Sequence, residues 1–259
     1  MARIILAHGL LGFGSALPND PLPYFNGVKP LYESLGHDVR CPGVAPLGSL
    51  ESRSTALAQQ VQGYWPDDGQ AIYLVGHSMG GLDCRRLLAR HPDLARRVKR
   101  LITIATPHFG SPVADAVLRP GFVGLPSPLQ PLSQFFAHDA GALADLATRT
   151  ALQDPDVPGI DYLGIGCDAT TADDPSPLFA VTARLGGFGA TPNDGVVALT
   201  SASRSGDPDW AWLFQHWLVE HGEAVGWPSS SPQALLDAAS QPPGDHLYRY
   251  RRLLDFLLK

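Results

Sequence analysis

Cysteine is scarce in this chain: Cys41, Cys84 and Cys167 are the only three in 259 residues. Three cysteines cannot all pair internally, so no disulfide framework staples the fold, and a reducing compartment is the simpler expectation. Basic charge is short as well. Lys plus Arg is 19 against 25 Asp plus Glu, a formal net charge of −6, which argues against the clustered cations that a nucleic-acid partner requires. Long apolar runs are missing too, with nothing approaching the ~18 residues of a membrane-spanning helix, so no transmembrane segment is expected. The first twelve residues hold one Arg and no convincing cleavage site. They read as a buried strand entering a glycine turn rather than a signal peptide. A cytoplasmic protein is the expectation, with signal-less secretion as the alternative.

What is present is enough apolar residue, 44% of the chain, to bury a large core in a single domain over 1–259. Glycine and proline, 27 and 24 in number, make it loop-rich without low complexity. Short continuous apolar runs at 4–7, 71–75 and 101–105 have the length of strands covered on both faces. Helical stretches at 28–35, 54–64 and 82–90 alternate with them, and residues 38–41 fit a further strand. That alternation predicts an α/β fold, a mostly parallel sheet with helices on both faces. The rhythm breaks at Thr106. From there to about Gly159 the chain is rich in Pro, Gly, Leu and Phe, and an inserted helical cap or lid over about 111–159 is expected. Strand-like runs return at 162–165 and 196–199, and 247–258 reads as a closing helix.

Gly76-His77-Ser78-Met79-Gly80 fits G-x-S-x-G between a predicted strand and a predicted helix. In that context the small flanking residues permit a strained turn that pushes the serine oxygen clear of the sheet edge. The first strand leads into His8-Gly9-Leu10-Leu11-Gly12, where backbone N–H groups of Leu10, together with that of Met79, can form an oxyanion hole. Asp194, in an Asn-Asp-Gly turn, is a candidate acid. The order Ser, Asp, His leaves His216, His221 and His246 as candidate bases.

These segments, with Thr106-Pro107-His108-Phe109-Gly110-Ser111, resemble the Pseudomonas-type bacterial triacylglycerol lipases, a family of α/β-hydrolases. The resemblance spans most of the chain and is poor in the cap and after Leu199. It implies a lipase or esterase that uses Ser78, Asp194 and a histidine and needs no organic cofactor. It favours His221, because His221-Gly222-Glu223 is similar to the family's histidine segment and the closing helix follows at a similar remove. It also implies a calcium ion held by Asp174, in Asp174-Pro175-Ser176, and by Glu223, which stands where the family has Asp. Trp227 replaces the family's side-chain amide ligand. Solvated surface acids explain the two carboxylates equally. Trp210, Leu213, Phe214, Trp217, Leu218 and His221 would form one stripe if helical, most simply a core face, otherwise an acyl-chain wall or a lipid-interface surface. The expected substrate is a small-molecule or lipid ester. A thioesterase, an acyltransferase, a polyester depolymerase and a non-catalytic binding protein remain alternatives on the same framework.

Overall fold

Ile4, Ile5 and Leu6 are all wholly shielded from solvent, as a strand covered on both faces requires. In this computed structural model, residues 1–10, 12, 24–122, 141–148, 154–171, 176–204, 212–227 and 245–259 are described. Successive residues of the first strand, β1 (Arg3–Ala7), point to opposite faces. Ile4 and Leu6 pack with Val28 and Tyr32 of α1 (Val28–Ser34) and with Tyr250 and Leu253 of the closing helix His246–Leu257. Ile5 and Ala7 pack with Leu57 and Val61 of α2 (Leu50–Tyr64) and with Leu87 and Leu88 of α3 (Met79–Arg90). Each fully buried Ile or Leu side chain contributes about 1.5–3 kcal/mol, so the two faces are filled by one alternating strand pattern. Cys84 lies in the second of these clusters as a small buried side chain.

Among the described residues the sheet has six strands in the order β2-β1-β3-β4-β5-β6, all paired in parallel. The others are β2 (Asp38–Arg40), β3 (Ile72–His77), β4 (Val98–Ile104), β5 (Asp161–Cys167) and β6 (Leu213–Trp217). The strand order reverses between β1 and β3. Ligands in open parallel sheets bind beyond the carboxyl ends of the strands at such a reversal. Here those two ends lead into the His8–Gly9 loop and into Ser78.

Two expectations fail. Residues 196–199 are not a strand. Asp194 Oδ1 accepts the backbone N–H groups of Val196 and Val197 at 2.9 and 2.7 Å, and Gly195 has φ 92°. The donors a ladder needs are thus used in a turn, and a short helix, Leu199–Ala202, follows. The Trp210–His221 stripe is not helical either; Trp210 itself lies outside the described residues. Leu213–Trp217 pairs with β5 from Leu163↔Leu213 to Cys167↔Trp217. In that strand Leu213 and Phe214 are exposed and Trp217 is buried, so the helical periodicity marks no single face. Ladder bonds to β5 override it, as tertiary pairing commonly does for short apolar runs.

The 111–159 segment begins with Pro112–Val117, capped by the Ser111 hydroxyl, which accepts from Val113 N at 3.2 Å. Within it Gly141–Leu146 is also helical. Ala114, Ala142, Leu143 and Leu146 pack on Met79 and Leu82 of α3, and Leu10 joins the same cluster. Leu125, Phe135 and Phe136 lie outside the described residues.

Candidate active site

Ser78 directly follows β3 with φ 55° and ψ −131°, a region that non-glycine residues rarely occupy. Its N–H donates to Ile104 O at 2.8 Å, which ties the turn to β4. α3 begins at the next residue, so its free N–H groups face the site. A Cβ on Gly80 would overlap the Ala7 carbonyl; this glycine lets the helix start lie directly on the end of β1. The same closeness recurs at Gly9, where a Cβ would stand 2.7 Å from Ser78 Cβ. The loop after β1 therefore runs alongside the serine. Leu10 and Met79 belong to that loop and to the first turn of α3; Leu11 and Phe13 lie outside the described residues.

Of the three candidate histidines, it is His221 that contacts Asp194. His221 Nδ1 lies 2.7 Å from Asp194 Oδ2, and His221 N donates to Asp194 O at 3.0 Å. A carboxylate only accepts, so Nδ1 carries the proton and Nε2 is left to exchange one. The His221 ring lies 4.6 Å, centroid to centroid, from that of His77, the residue before Ser78. Asp194 is buried and its oxygens are satisfied by two backbone N–H groups and the imidazole. His246 is placed elsewhere: its Nε2 donates to Asn26 O at 2.6 Å, under Gly226. His216, on β6, is partly exposed and 3.8 Å from Asp168.

The Thr106–Ser111 motif is a brace. Ser111 Oγ donates to Val196 O at 2.6 Å, and Ser201 Oγ accepts from Phe109 N at 3.0 Å and donates to Gly110 O at 2.9 Å. These bonds join the root of the insert to the loop that carries Asp194. His108 is buried beside Arg85, away from solvent, and desolvation pushes its imidazole well below its ordinary range.

A buried ion pair that sequence reading missed underlies the loop after β1. Arg53 is fully buried and contacts Asp83 at 2.7 Å. Its remaining donors reach His8 O at 2.7 Å and Ala45 O at 2.8 Å. Burial raises the Asp83 carboxyl to about 6 against the pull of Arg53. His8 accepts Val44 N–H on Nε2 at 3.2 Å and donates from Nδ1 to Gly9 O at 2.8 Å. Burial, with the Arg53 charge, lowers it to about 4, so it stays neutral. The signal was available: Arg53, Leu57 and Val61 share a stripe at i, i+4, i+8, where a charge on an apolar face implies a buried partner.

Of the implied calcium ligands, Asp174 lies outside the described residues. Glu223 Oε2 accepts Glu220 N–H at 2.9 Å. Glu220 Oε1 accepts Ser176 N–H at 2.5 Å, while its Oε2 is buried without a hydrogen-bond partner among the described residues, and desolvation raises this carboxyl. Among the described residues no group of three or more His, Cys, Asp or Glu is gathered to hold a metal ion. They do not by themselves form a calcium cage.

The fold is the α/β-hydrolase fold, and residues 67–127, about a quarter of the chain, match the family described as the alpha/beta hydrolase fold. Within that class the chain is similar to triacylglycerol lipases. It is 38% identical over 102 residues to triacylglycerol lipase 2 of Saccharomyces cerevisiae, across 38% of this chain and 31% of that one. It is 32% identical over 121 residues to the triacylglycerol lipase of Pseudomonas fragi, across 46% and 39%. These matches span well under half the length of both curated relatives. The crystal structure of Staphylococcus hyicus lipase superposes with a TM-score of 0.71 over 99% of this chain and 95% of that one, at 16% identity, a likeness of fold. Alpha/beta hydrolases generally need no organic cofactor, and no described helix is long and apolar enough to cross a membrane.

Proposed function

We propose that the protein is a serine ester hydrolase of lipase or esterase type acting on apolar acyl esters. The observation that carries this reading is the 2.7 Å His221–Asp194 bond, made by a ring 4.6 Å from that of His77, the residue before a serine held at φ 55°. Ser78 Oγ attacks the ester carbonyl while His221 Nε2 takes its proton. The same proton then passes to the departing alcohol. Asp194 holds the imidazole in the Nδ1–H tautomer and stabilises the imidazolium. Backbone N–H groups of Leu10 and Met79 receive the oxyanion, each such donor being worth about 10²–10³ in rate. Water activated by His221 clears the acyl-enzyme.

The insert over 111–159 acts as a cap that walls the acyl chain, supported by its packing on Leu10, Met79 and Leu82. The curated relatives' names point to acylglycerols as the substrate class. Transient contact with a lipid surface follows from such a substrate, and a cytoplasmic site of action is the companion proposal. Asp174 and Glu223 are the residues that would hold a calcium ion, which would steady the His221 loop; a chelator that leaves thermal stability and turnover unchanged removes this proposal. Turnover of p-nitrophenyl esters from acetate to palmitate, with Ser78→Ala as control, tests the main reading. Hydrolysis that vanishes in Ser78→Ala supports it. Thioester or acyl-transfer activity without ester hydrolysis replaces it, and binding without turnover overturns it.

A further inference from the structure

His77 occupies an unspecified position of G-x-S-x-G, yet both of its ring nitrogens are committed. Tyr24 Oη lies 2.8 Å from Nδ1, and Nε2 lies 3.0 Å from the carbonyl oxygen of His221. A carbonyl only accepts, so the proton sits on Nε2. Nδ1 is then an acceptor, and the Tyr24 hydroxyl donates to it. One neutral tautomer satisfies both bonds. Burial, reinforced by the adjoining His221 ring, pushes this imidazole well below its ordinary range, so the arrangement persists at neutral pH.

Three hydrogen bonds hold His221: its N–H and its Nδ1–H both go to Asp194, and its carbonyl accepts from His77. The first two tie the base to the acid. The third ties it to the last residue of β3, directly before the nucleophile. Tyr24 closes a ring around this link. Its carbonyl accepts from Trp227 Nε1 at 3.1 Å, the two rings meet edge-on at 5.2 Å, and Trp227 N donates to Gly222 O at 3.0 Å. The chain of contacts thus runs from the elbow through His77 and Tyr24 to the far end of the His221 loop.

We infer that His77, oriented by the Tyr24 hydroxyl, is a positioning residue that sets the placement of His221 relative to Ser78. The inference rests on the serine hydrolase reading above. His77 acts through the backbone of the base; the Tyr24 hydroxyl orients His77 and also meets the backbone of Gly9, beside Ser78. A shift of about 1 Å in a reacting group can lower turnover by about a hundredfold.

The test compares His77→Leu, His77→Gln and Tyr24→Phe with the wild type. Active sites are counted with a fluorophosphonate, and kcat, KM and melting temperature are measured on p-nitrophenyl butyrate. In His77→Leu, kcat per titrated site should fall by about 10–100-fold with KM within about twofold. His77→Gln should recover much of the loss, because its amide can donate to the His221 carbonyl and accept from Tyr24. Tyr24→Phe should fall in between. In a His221→Ala background, His77→Leu should change the residual turnover little, since the two act as a unit. Wild-type kcat per titrated site in His77→Leu and Tyr24→Phe overturns the inference, whatever happens to the melting temperature. Where His77→Leu does not fold, His77→Asn, whose shorter amide cannot span both the His221 carbonyl and the Tyr24 hydroxyl, takes its place: a fall in kcat with KM kept upholds it, and unchanged kcat overturns it. Wild-type protein that neither reacts with the fluorophosphonate nor hydrolyses the ester overturns the serine hydrolase reading itself, and the inference with it.

Discussion

Arg53 and Asp83 meet at 2.7 Å with essentially no exposed surface on either side chain. Arg53 comes from α2 and Asp83 from α3, so the pair bridges the two helices on one face of the sheet. Its spare donors reach the carbonyls of His8 and Ala45, where a misplaced loop would disturb the backbone beside Ser78. Two desolvated charges are tolerated because every Arg53 contact lands on an acceptor.

Removing one member should therefore damage both stability and turnover. Arg53→Leu leaves Asp83 buried without its partner and frees the His8 carbonyl. The expected loss is about 3–5 kcal/mol by urea unfolding, with a fall in kcat in whatever remains folded. A variant with wild-type stability would mean that Asp83 finds another partner.

His221→Ala should match Ser78→Ala, with a loss of several orders of magnitude in kcat, because nucleophile and base act together. His246→Ala removes the 2.6 Å bond to Asn26 O and should lower the melting temperature while kcat per titrated site stays within a few-fold. The reverse pattern would refute the assignment of His221.

Stability should fall as the medium is acidified from neutrality. His8 is held at about 4 against an ordinary 6.5, and burial pushes His77 and His108 well below the ordinary value too. Between those values the unfolded chain binds protons that the folded chain refuses, so stability drops with pH by about 1.4 kcal/mol per pH unit for each such group. Asp83, raised to about 6 from 3.8, works in the opposite direction over part of this window, since there the folded state binds its proton first. Glu220, also raised by burial, acts with Asp83, and His37 and His246, also lowered by burial, act with the three histidines, so the histidines outweigh the carboxyls. Urea midpoints at pH 7.5 and pH 5.0 check the sign; equal midpoints would contradict it.

Gly80→Ala should be poorly tolerated. Its Cβ meets the Ala7 carbonyl oxygen, a backbone atom that cannot swing aside. Overpacking of this kind costs about 1–3 kcal/mol, and the shift falls where Met79 N–H must face the oxyanion. Thermal melts and p-nitrophenyl ester kinetics of the variant should both decline.

The patterning of the chain was enough for a parallel α/β sheet, its first four strands and the elbow at Ser78, and the resemblance to known lipases implied the α/β-hydrolase fold. The reason is locality: a buried parallel strand must be a short apolar run, and a nucleophile between strand and helix needs small neighbours within a few residues. The elements after Leu199 were less legible. Leu213–Trp217 carries a helical period yet is a strand because β5 offers an unpaired edge, and residues 196–199 form a turn because the Asp194 carboxylate takes their N–H groups. The histidine was open for the same reason: chain order admits His216, His221 and His246 alike, and only the fold brings one ring to 2.7 Å from Asp194. Charge on a helix stripe hinted at Arg53, but its partner 30 residues away depended on how α2 and α3 pack. Tyr24 and His77 left no such hint, since a bond between residues 53 positions apart has no signature in either neighbourhood. Local sequence set which residues could form the strands and the elbow, while long-range packing chose which polar side chains would meet, because a hydrogen bond depends on separation in space and not along the chain.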